Sequence, residues 1–185
     1  MCECPPSCVN RLVQHGVTVP LRLEHDAVKG FRVVTLRALE AGRFVCEYAG
    51  ELITVGEAKE RTLNQHRCNL MNYIIAVREH SSAGEVVATT IVDPCTRGNV
   101  GRFMNHSCEA NLQMIPVRCD SDVPMLALFC RRHVAAGEEL TFDYGSGISG
   151  EHENRAENKR KPCLCKSANC VGYLPFNPTV LPAPE

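Results

Sequence analysis

The sequence predicts a mainly β domain, α+β in class, with one short helix. Runs of apolar and polar alternation recur along it and Gly, Pro, Asn, Asp and Ser interrupt them about every eight to twelve positions. Only one stretch has the composition of a helix. Many brief strands with little helix between them point to a mostly β domain.

Taken in order, residues 17–23 alternate as a strand, and the Lys29-Gly30 turn feeds a second strand through residue 36. Residues 43–50 form a third, ending on glycine. Residues 55–64 are rich in Glu, Lys, Ala and Arg and are the expected helix. Strands follow at 73–78 and 86–92, joined by the polar turn 80–85, and shorter ones at 112–118, 126–130 and 139–143. No internal repeat is visible. From 146 to 162 the composition turns to Gly, Ser, Glu, Asn, Arg and Lys without apolar periodicity. That stretch reads either as a solvated connector or as a loop that orders over a substrate.

The 185 residues suit one domain, and 44% hydrophobic content supplies a core. A net charge of −1 argues against a general nucleic-acid binder. No apolar run approaches the roughly 18 residues of a membrane span, and Met1-Cys-Glu-Cys has no leader pattern. The chain is therefore expected to be soluble and intracellular, without a membrane partner.

Twelve cysteines then become the main oddity. A secreted disulfide domain is one reading, but clustered cysteines in a reducing compartment more often bind metal. Cys163-x-Cys165-x4-Cys170 supplies three thiolates, whereas structural zinc takes four ligands. Cys108 is the candidate for the fourth, because it lies in the other cluster built like a site. Cys2, Cys4 and Cys8 begin a second ligand set without nearby partners. Cys46, Cys68, Cys95, Cys119 and Cys130 sit in apolar or strand-like surroundings and read as buried thiols.

That other cluster is Arg102-Phe-Met-Asn-His-Ser-Cys-Glu-Ala-Asn111, joined by Glu138-Glu-Leu-Thr-Phe-Asp-Tyr-Gly145. Amides, an imidazole, a guanidinium and a thiol in near succession fit no period of burial, so the crowding reads as a site. His106 and Cys108 are expected on opposite faces of an extended chain, which argues against thiol-protease chemistry. Glu51 and Asp143 read as carboxylates bonded to backbone amides.

Asn105-His-Ser-Cys-x-x-Asn111, Glu139-Leu-Thr-Phe-Asp-Tyr144, Tyr48-Ala-Gly-Glu51, the Lys29-Gly30 turn and the two cysteine patterns together resemble the SET-domain protein lysine methyltransferases. The resemblance implies a SET fold of small curled sheets, β-clip-like, in which a late segment threads the chain near Asn105 as a pseudoknot. It divides the chain into a pre-SET remnant at 1–16, SET at 17–145, a linker at 146–162, a zinc-binding post-SET motif at 163–179 and a tail at 180–185.

By the same resemblance S-adenosylmethionine is the methyl donor. Lys29, Gly30 and Phe31 line it with backbone groups, Arg102, Asn105 and His106 hold its charged and adenine ends, and Tyr73 packs nearby. Tyr144 matches the catalytic tyrosine, with the hydroxyls of Tyr144 and Tyr73 orienting amine and methyl. Phe142 leaves room for di- or trimethylation. The implied partner is a histone H3 tail, at position nine or thirty-six, in nuclear chromatin. Three features depart from the pattern: Arg32 replaces a glycine and is expected either to crowd the donor or to force a turn in which φ stays negative, Ala110 replaces a proline, and the pre-SET cysteines are incomplete. These departures support an alternative, a catalytically weak zinc-stabilised module that binds a peptide or partner.

Overall fold

The computed structural model describes residues 5, 7, 8, 10–68, 70–145 and 161–175. Among these residues the strands form three small sheets around one main core, with one α-helix on the flank. Residues 146–160 of the connector, the tail at 180–185, and Cys2 and Cys4 of the N-terminal cysteine motif lie outside the described residues.

The first sheet is an antiparallel hairpin of β1 (Leu21–Asp26) and β2 (Gly30–Thr35). The sequence places β1 four residues earlier than it starts, at Leu21. Pro20 explains the shift, because it has no N–H for a ladder; only its carbonyl is used, accepting from Leu36 N at 2.9 Å. At the turn, Asp26 Oδ1 accepts from the backbone N–H of Val28 and Lys29, each at 2.8 Å, and Gly30 takes a φ of +87°.

The expected third strand ends three residues early, at Glu47, and a further short strand that was not expected follows it in another sheet. β3 (Phe44–Glu47) joins the five-stranded sheet, and β4 (Glu51–Leu52) joins β6 and β5 in the three-stranded one. The chain changes sheets at Gly50, where a Cβ would lie 2.7 Å from the backbone of Asp93. The helix α1 (Val55–Arg67) opens with a capping box between Thr54 and Glu57. It runs three residues past the expected end, because Ala58, Thr62 and Gln65 continue one buried face. Ala58 packs with Ile74, Ala76 and Ile91 of the neighbouring sheet, formed by β5 (Ile75–His80) and β6 (Val86–Asp93).

A 3-10 turn at Val100–Phe103, capped by Asn99, leads into β7 (Asn105–His106). Then β8 (Leu112–Val117) and β9 (Met125–Cys130) make an antiparallel pair, with β9 also paired to β3. Both faces of β9 are covered: Leu126, Leu128 and Cys130 enter the main core, while Ala127 meets Val13 and Phe44 on the other side. Finally β10 (Thr141–Phe142) slots between β7 and β8, parallel to both. The late strand is thus threaded into a space that earlier chain has already framed.

Asn111 clamps the threaded segment. Its Oδ1 accepts from Thr141 N at 2.9 Å, and its Nδ2 donates to Glu139 O at 2.8 Å and to Glu138 Oε1 at 3.0 Å. Asn111 itself is 2% exposed, so its amide has no access to water in place of these partners. Leu140 N, just before β10, donates to Val33 O at 2.8 Å, tying the same segment to the first hairpin.

Replacing Asn111 with Ala leaves a backbone N–H and a backbone C=O unpaired at this crossing. At about 1–3 kcal/mol for each orphaned buried group, Asn111→Ala is expected to lower stability by about 2–4 kcal/mol, measured as the shift in urea midpoint at constant m-value.

Candidate functional site

The threading brings the two conspicuous motifs side by side. Thr141 pairs with Asn105 and Phe142 with His106, and Ser107 N donates to Phe142 O at 3.3 Å. At the end of β10, Tyr144 Oη donates to Met104 O at 2.8 Å, one residue from Asn105. Phe142 is 1% exposed, and its ring lies 4.8 Å from Tyr144 and 5.7 Å from Tyr48.

Three tyrosine hydroxyls share this neighbourhood. Tyr48 Oη donates to Tyr73 O at 2.6 Å and so holds the segment leading into β5 against the core. Burial, reinforced by Tyr144 and Tyr73, keeps the Tyr48 hydroxyl well above the usual phenol range. Burial, followed by the charges of Tyr73 and Glu139, does the same for Tyr144. At neutral pH Tyr144 is therefore a phenol that donates to a carbonyl, with oxygen lone pairs left for an amine or a polarised methyl.

On the other side of Asn105 lies the Lys29–Phe31 turn. Asn105 Nδ2 donates both to Phe31 O and to Glu139 Oε1, each at 2.8 Å, while Glu139 Oε2 pairs with Lys29 Nζ at 2.8 Å. Glu139 thus pins the turn to the threaded strand. Phe31 is 46% exposed and meets Phe103 edge-on at 5.5 Å, which presents an apolar aromatic surface beside charged groups. A cleft of about 160 Å³ opens next to them, lined by Lys29, Arg32, Glu139, Leu164 and Lys166.

Arg102 sits behind this wall. One guanidinium nitrogen donates to Pro94 O and Cys95 O, both at 3.0 Å, and its Cζ lies 5.2 Å from the Tyr73 ring centre and 4.8 Å from that of Phe103. Its Nε is buried without a hydrogen-bond partner among the described residues. Arg32 is a regular strand residue opposite Glu24 and takes no positive φ, as expected of a side chain in place of a glycine. It pairs with that carboxylate at 2.8 Å while bordering the cleft. Ala110 is buried, within a loop fixed at its end by Asn111.

Sulfur atoms of Cys108, Cys163, Cys165 and Cys170 gather within 4.8 Å of one another. Cys108 Sγ and Cys163 Sγ are 3.8 Å apart. Tetrahedral zinc with Zn–S bonds near 2.3 Å sets its sulfurs about 3.8 Å apart, so the donor set fits such an ion. The C-terminal turn is shaped for this: Lys166 takes a φ of +58°, and Cys170 N donates to Ser167 O at 3.1 Å. The segment then crosses back, since a Cβ on Gly145 would lie 3.2 Å from Pro175 Cβ.

Several expectations need correction. His106 and Cys108 do not face apart: the chain turns after His106, and His106 Nε2 lies 3.4 Å from Cys108 Sγ. Cys68 is exposed, because it caps the solvent end of α1, and Cys95 and Cys119 are only half-buried; Cys46 and Cys130 are buried. The Cys46 thiol is pushed up to about 12 by burial and then by Glu47. Glu51 bonds side chains, Arg61 at 2.8 Å and Thr96 at 3.0 Å, whereas Asp143 does accept from a backbone amide, Gly145 N at 2.9 Å. Cys8 is half-buried, and it and the other nine described cysteines are free. Sequence reasoning gave Glu139, Asn111 and Tyr48 no particular role. Their presence inside the quoted motifs was the available signal, and their partners lie far along the chain.

A strand threaded parallel between two others, with a four-thiol knot at its exit, is the arrangement of a SET domain, and the SET-domain family profile matches residues 30–145. The chain belongs to that family. It is 43% identical over 190 aligned residues to the mouse (Mus musculus) histone-lysine N-methyltransferase SETMAR, covering 100% of this chain and 61% of the relative. The fold is similar to the crystal structure of the methyltransferase domain of human SETMAR, with a TM-score of 0.77, 41% identity, and coverage of 95% of this chain and 65% of that one. Arabidopsis thaliana SUVH6, solved in complex with SAM, gives a TM-score of 0.73 at 32% identity, over 94% of this chain and 36% of that one. This chain therefore spans about three fifths of the mouse relative's length.

The raised pKa of Tyr144 fixes the sign of a pH effect. Folding favours the neutral phenol, so its contribution is full below the unfolded value near 10 and is lost as pH rises through the higher folded value. Urea midpoints measured from about pH 9 to about pH 11 are expected to fall with rising pH, and to fall less steeply in Tyr144→Phe.

Proposed function

We propose that the chain transfers methyl groups from S-adenosylmethionine to a protein lysine, with a histone H3 tail as substrate. The observation that carries this reading is the position of Tyr144: its neutral hydroxyl sits on the Met104 carbonyl, beside the Asn105 amide that holds the Lys29–Phe31 turn. The names of the relatives and the SAM complex of SUVH6 support it. The proposed division remains a pre-SET remnant, a SET domain and a post-SET motif, and the setting is nuclear chromatin.

The methyl donor is a substrate here, and the residues present fit it. The half-exposed ring of Phe31 offers an apolar face for a purine, beside the Lys29–Glu139 ion pair at the edge of the cleft. In this reading Lys29, Gly30 and Phe31 line the donor through their backbone, with Asn105 and His106 contributing mainly as the frame beside it. Arg102 stiffens the wall from behind.

Methyl transfer needs a neutral amine aligned with the carbon–sulfur bond. Lysine has a pKa near 10.4, so deprotonation at pH 7 costs about 4.6 kcal/mol. Desolvation and the positive sulfur lower that cost. Tyr144 is not the base, since its own pKa is raised and almost none of it ionises at pH 7. The proton leaves to water before the amine seats; the nitrogen lone pair then forms the N–C bond as the C–S bond breaks, and the positive charge passes to the new ammonium. Alignment of this kind lowers the barrier by about 7–11 kcal/mol. Tyr144 and Tyr73 supply it by orienting amine and methyl.

We further propose that the four clustered thiols hold one zinc ion, whose chemistry is structural: it ties Cys163–Cys170 to Cys108 and so closes the wall beside Tyr144. Phe142, which has no hydroxyl to restrain the amine, permits successive methylation.

The reading is tested by methyl transfer onto an array of histone H3 peptides. Activity is expected on at least one lysine, with Tyr144→Phe about 100-fold slower in kcat, the size of effect seen when an orienting donor is lost; no transfer to any peptide despite bound donor would sink it. Mass spectrometry should show di- or trimethyl products, with Phe142→Tyr moving them toward monomethyl. Metal analysis should give one zinc per chain at the described cluster, lost in Cys170→Ser together with the cooperative folding of the Cys163–Cys170 segment.

A further inference from the structure

His106 is predicted from the sequence to hold the donor, yet its side chain is committed elsewhere. The residue is 6% exposed, and both ring nitrogens already have partners. Nδ1 accepts from Tyr144 N at 3.2 Å. A nitrogen that accepts an N–H carries no proton, so in the neutral ring the proton is on Nε2. Nε2 lies 3.4 Å from Cys108 Sγ and so donates to that sulfur. Asp143 Oδ1, 3.5 Å from Nδ1, is occupied in accepting Gly145 N at 2.9 Å. The ring also packs against the Tyr144 ring at 5.4 Å.

We infer that His106 is a positioning residue: one imidazole braces the sulfur of a metal-ligating cysteine at one nitrogen and the backbone of the reactive tyrosine at the other. This rests on the reading of the four thiols as a zinc site and of Tyr144 as the tyrosine at the reacting centre. An N–H donated to a metal-bound thiolate withdraws charge from the sulfur and fixes its direction, as outer partners of metal ligands do elsewhere. Because the same rigid ring ends on Tyr144 N, the position of the metal cluster sets where the Tyr144 backbone can lie. The zinc knot and the methyl-transfer geometry are then mechanically one unit, without the metal touching substrate.

Two isosteric variants separate the ends of the brace. His106→Asn keeps an acceptor at the place of Nδ1 but does not reach the sulfur; His106→Gln keeps an N–H at the place of Nε2 but loses the acceptor. The first readout is the protein loaded with Co²⁺, whose thiolate-to-metal charge-transfer band reports the charge on sulfur. The second is kcat and KM on an H3 peptide. His106→Asn is expected to shift the band to longer wavelength and to weaken Co²⁺ binding by about 10-fold or more. His106→Gln is expected to leave the band in place while lowering kcat about 10-fold at unchanged donor KM. A band unmoved in both variants, or identical losses in both readouts for both variants, overturns the inference. Wild-type protein that binds no Co²⁺ overturns the zinc reading and the brace with it, whereas Co²⁺ binding with no methyl transfer from the wild type sinks the enzymatic reading and leaves the band to decide the sulfur contact.

Discussion

The whole arrangement depends on one strand being inserted between two others. β10 can lie parallel to β7 and β8 only because Asn111, fully buried at the crossing, supplies hydrogen bonds that a two-residue strand cannot supply alone. A short parallel strand has few ladder bonds of its own. From this insertion follow the contact of Tyr144 with Met104, the hold of Glu139 on Lys29 and Asn105, and the delivery of Gly145 to the tail at Pro175.

Around the tyrosines, charge is kept paired and at a distance. Arg61 reaches from the helix to Glu51 and to Asp93, whose side chain is 2% exposed. Arg102 spends its charge on two backbone carbonyls and two aromatic faces. Lys29 and Glu139 neutralise each other at the edge of the cleft. What remains at the centre is Phe142, Met104 and phenols that stay un-ionised, a low-polarity setting in which a charged group is disfavoured relative to its neutral form.

Much of this was legible in the residues, and what was not has a common cause. The helix was visible through its Glu, Lys and Ala content, and the turn at 80–85 through Ser81 and Gly84, which close it by their hydrogen bonds. Cys108 was readable as the partner of the C-terminal thiols, because zinc chemistry demands a fourth ligand. By contrast, the sheet change at Gly50 is dictated by the backbone of Asp93, the start of β1 by a proline inside an alternating run, and the role of Glu139 by Lys29 and Asn105. None of these partners lies within a local window. The His106–Cys108 contact was misjudged for a related reason: spacing of two implies opposite faces only if the chain stays extended, and here it turns.

Threading also has a bearing on how such a chain comes off the ribosome. Synthesis delivers β7, β8 and β9 before β10 exists, yet β10 belongs between the first two. The nascent polypeptide must either hold that slot ajar or reopen it, and closing contacts between distant segments is slow. Tyr144 and then the cysteines at 163–170 emerge last among these parts. A half-made molecule therefore has its Lys29–Phe31 turn but no Tyr144 seated beside it, so the meeting of the two motifs belongs to finished copies alone.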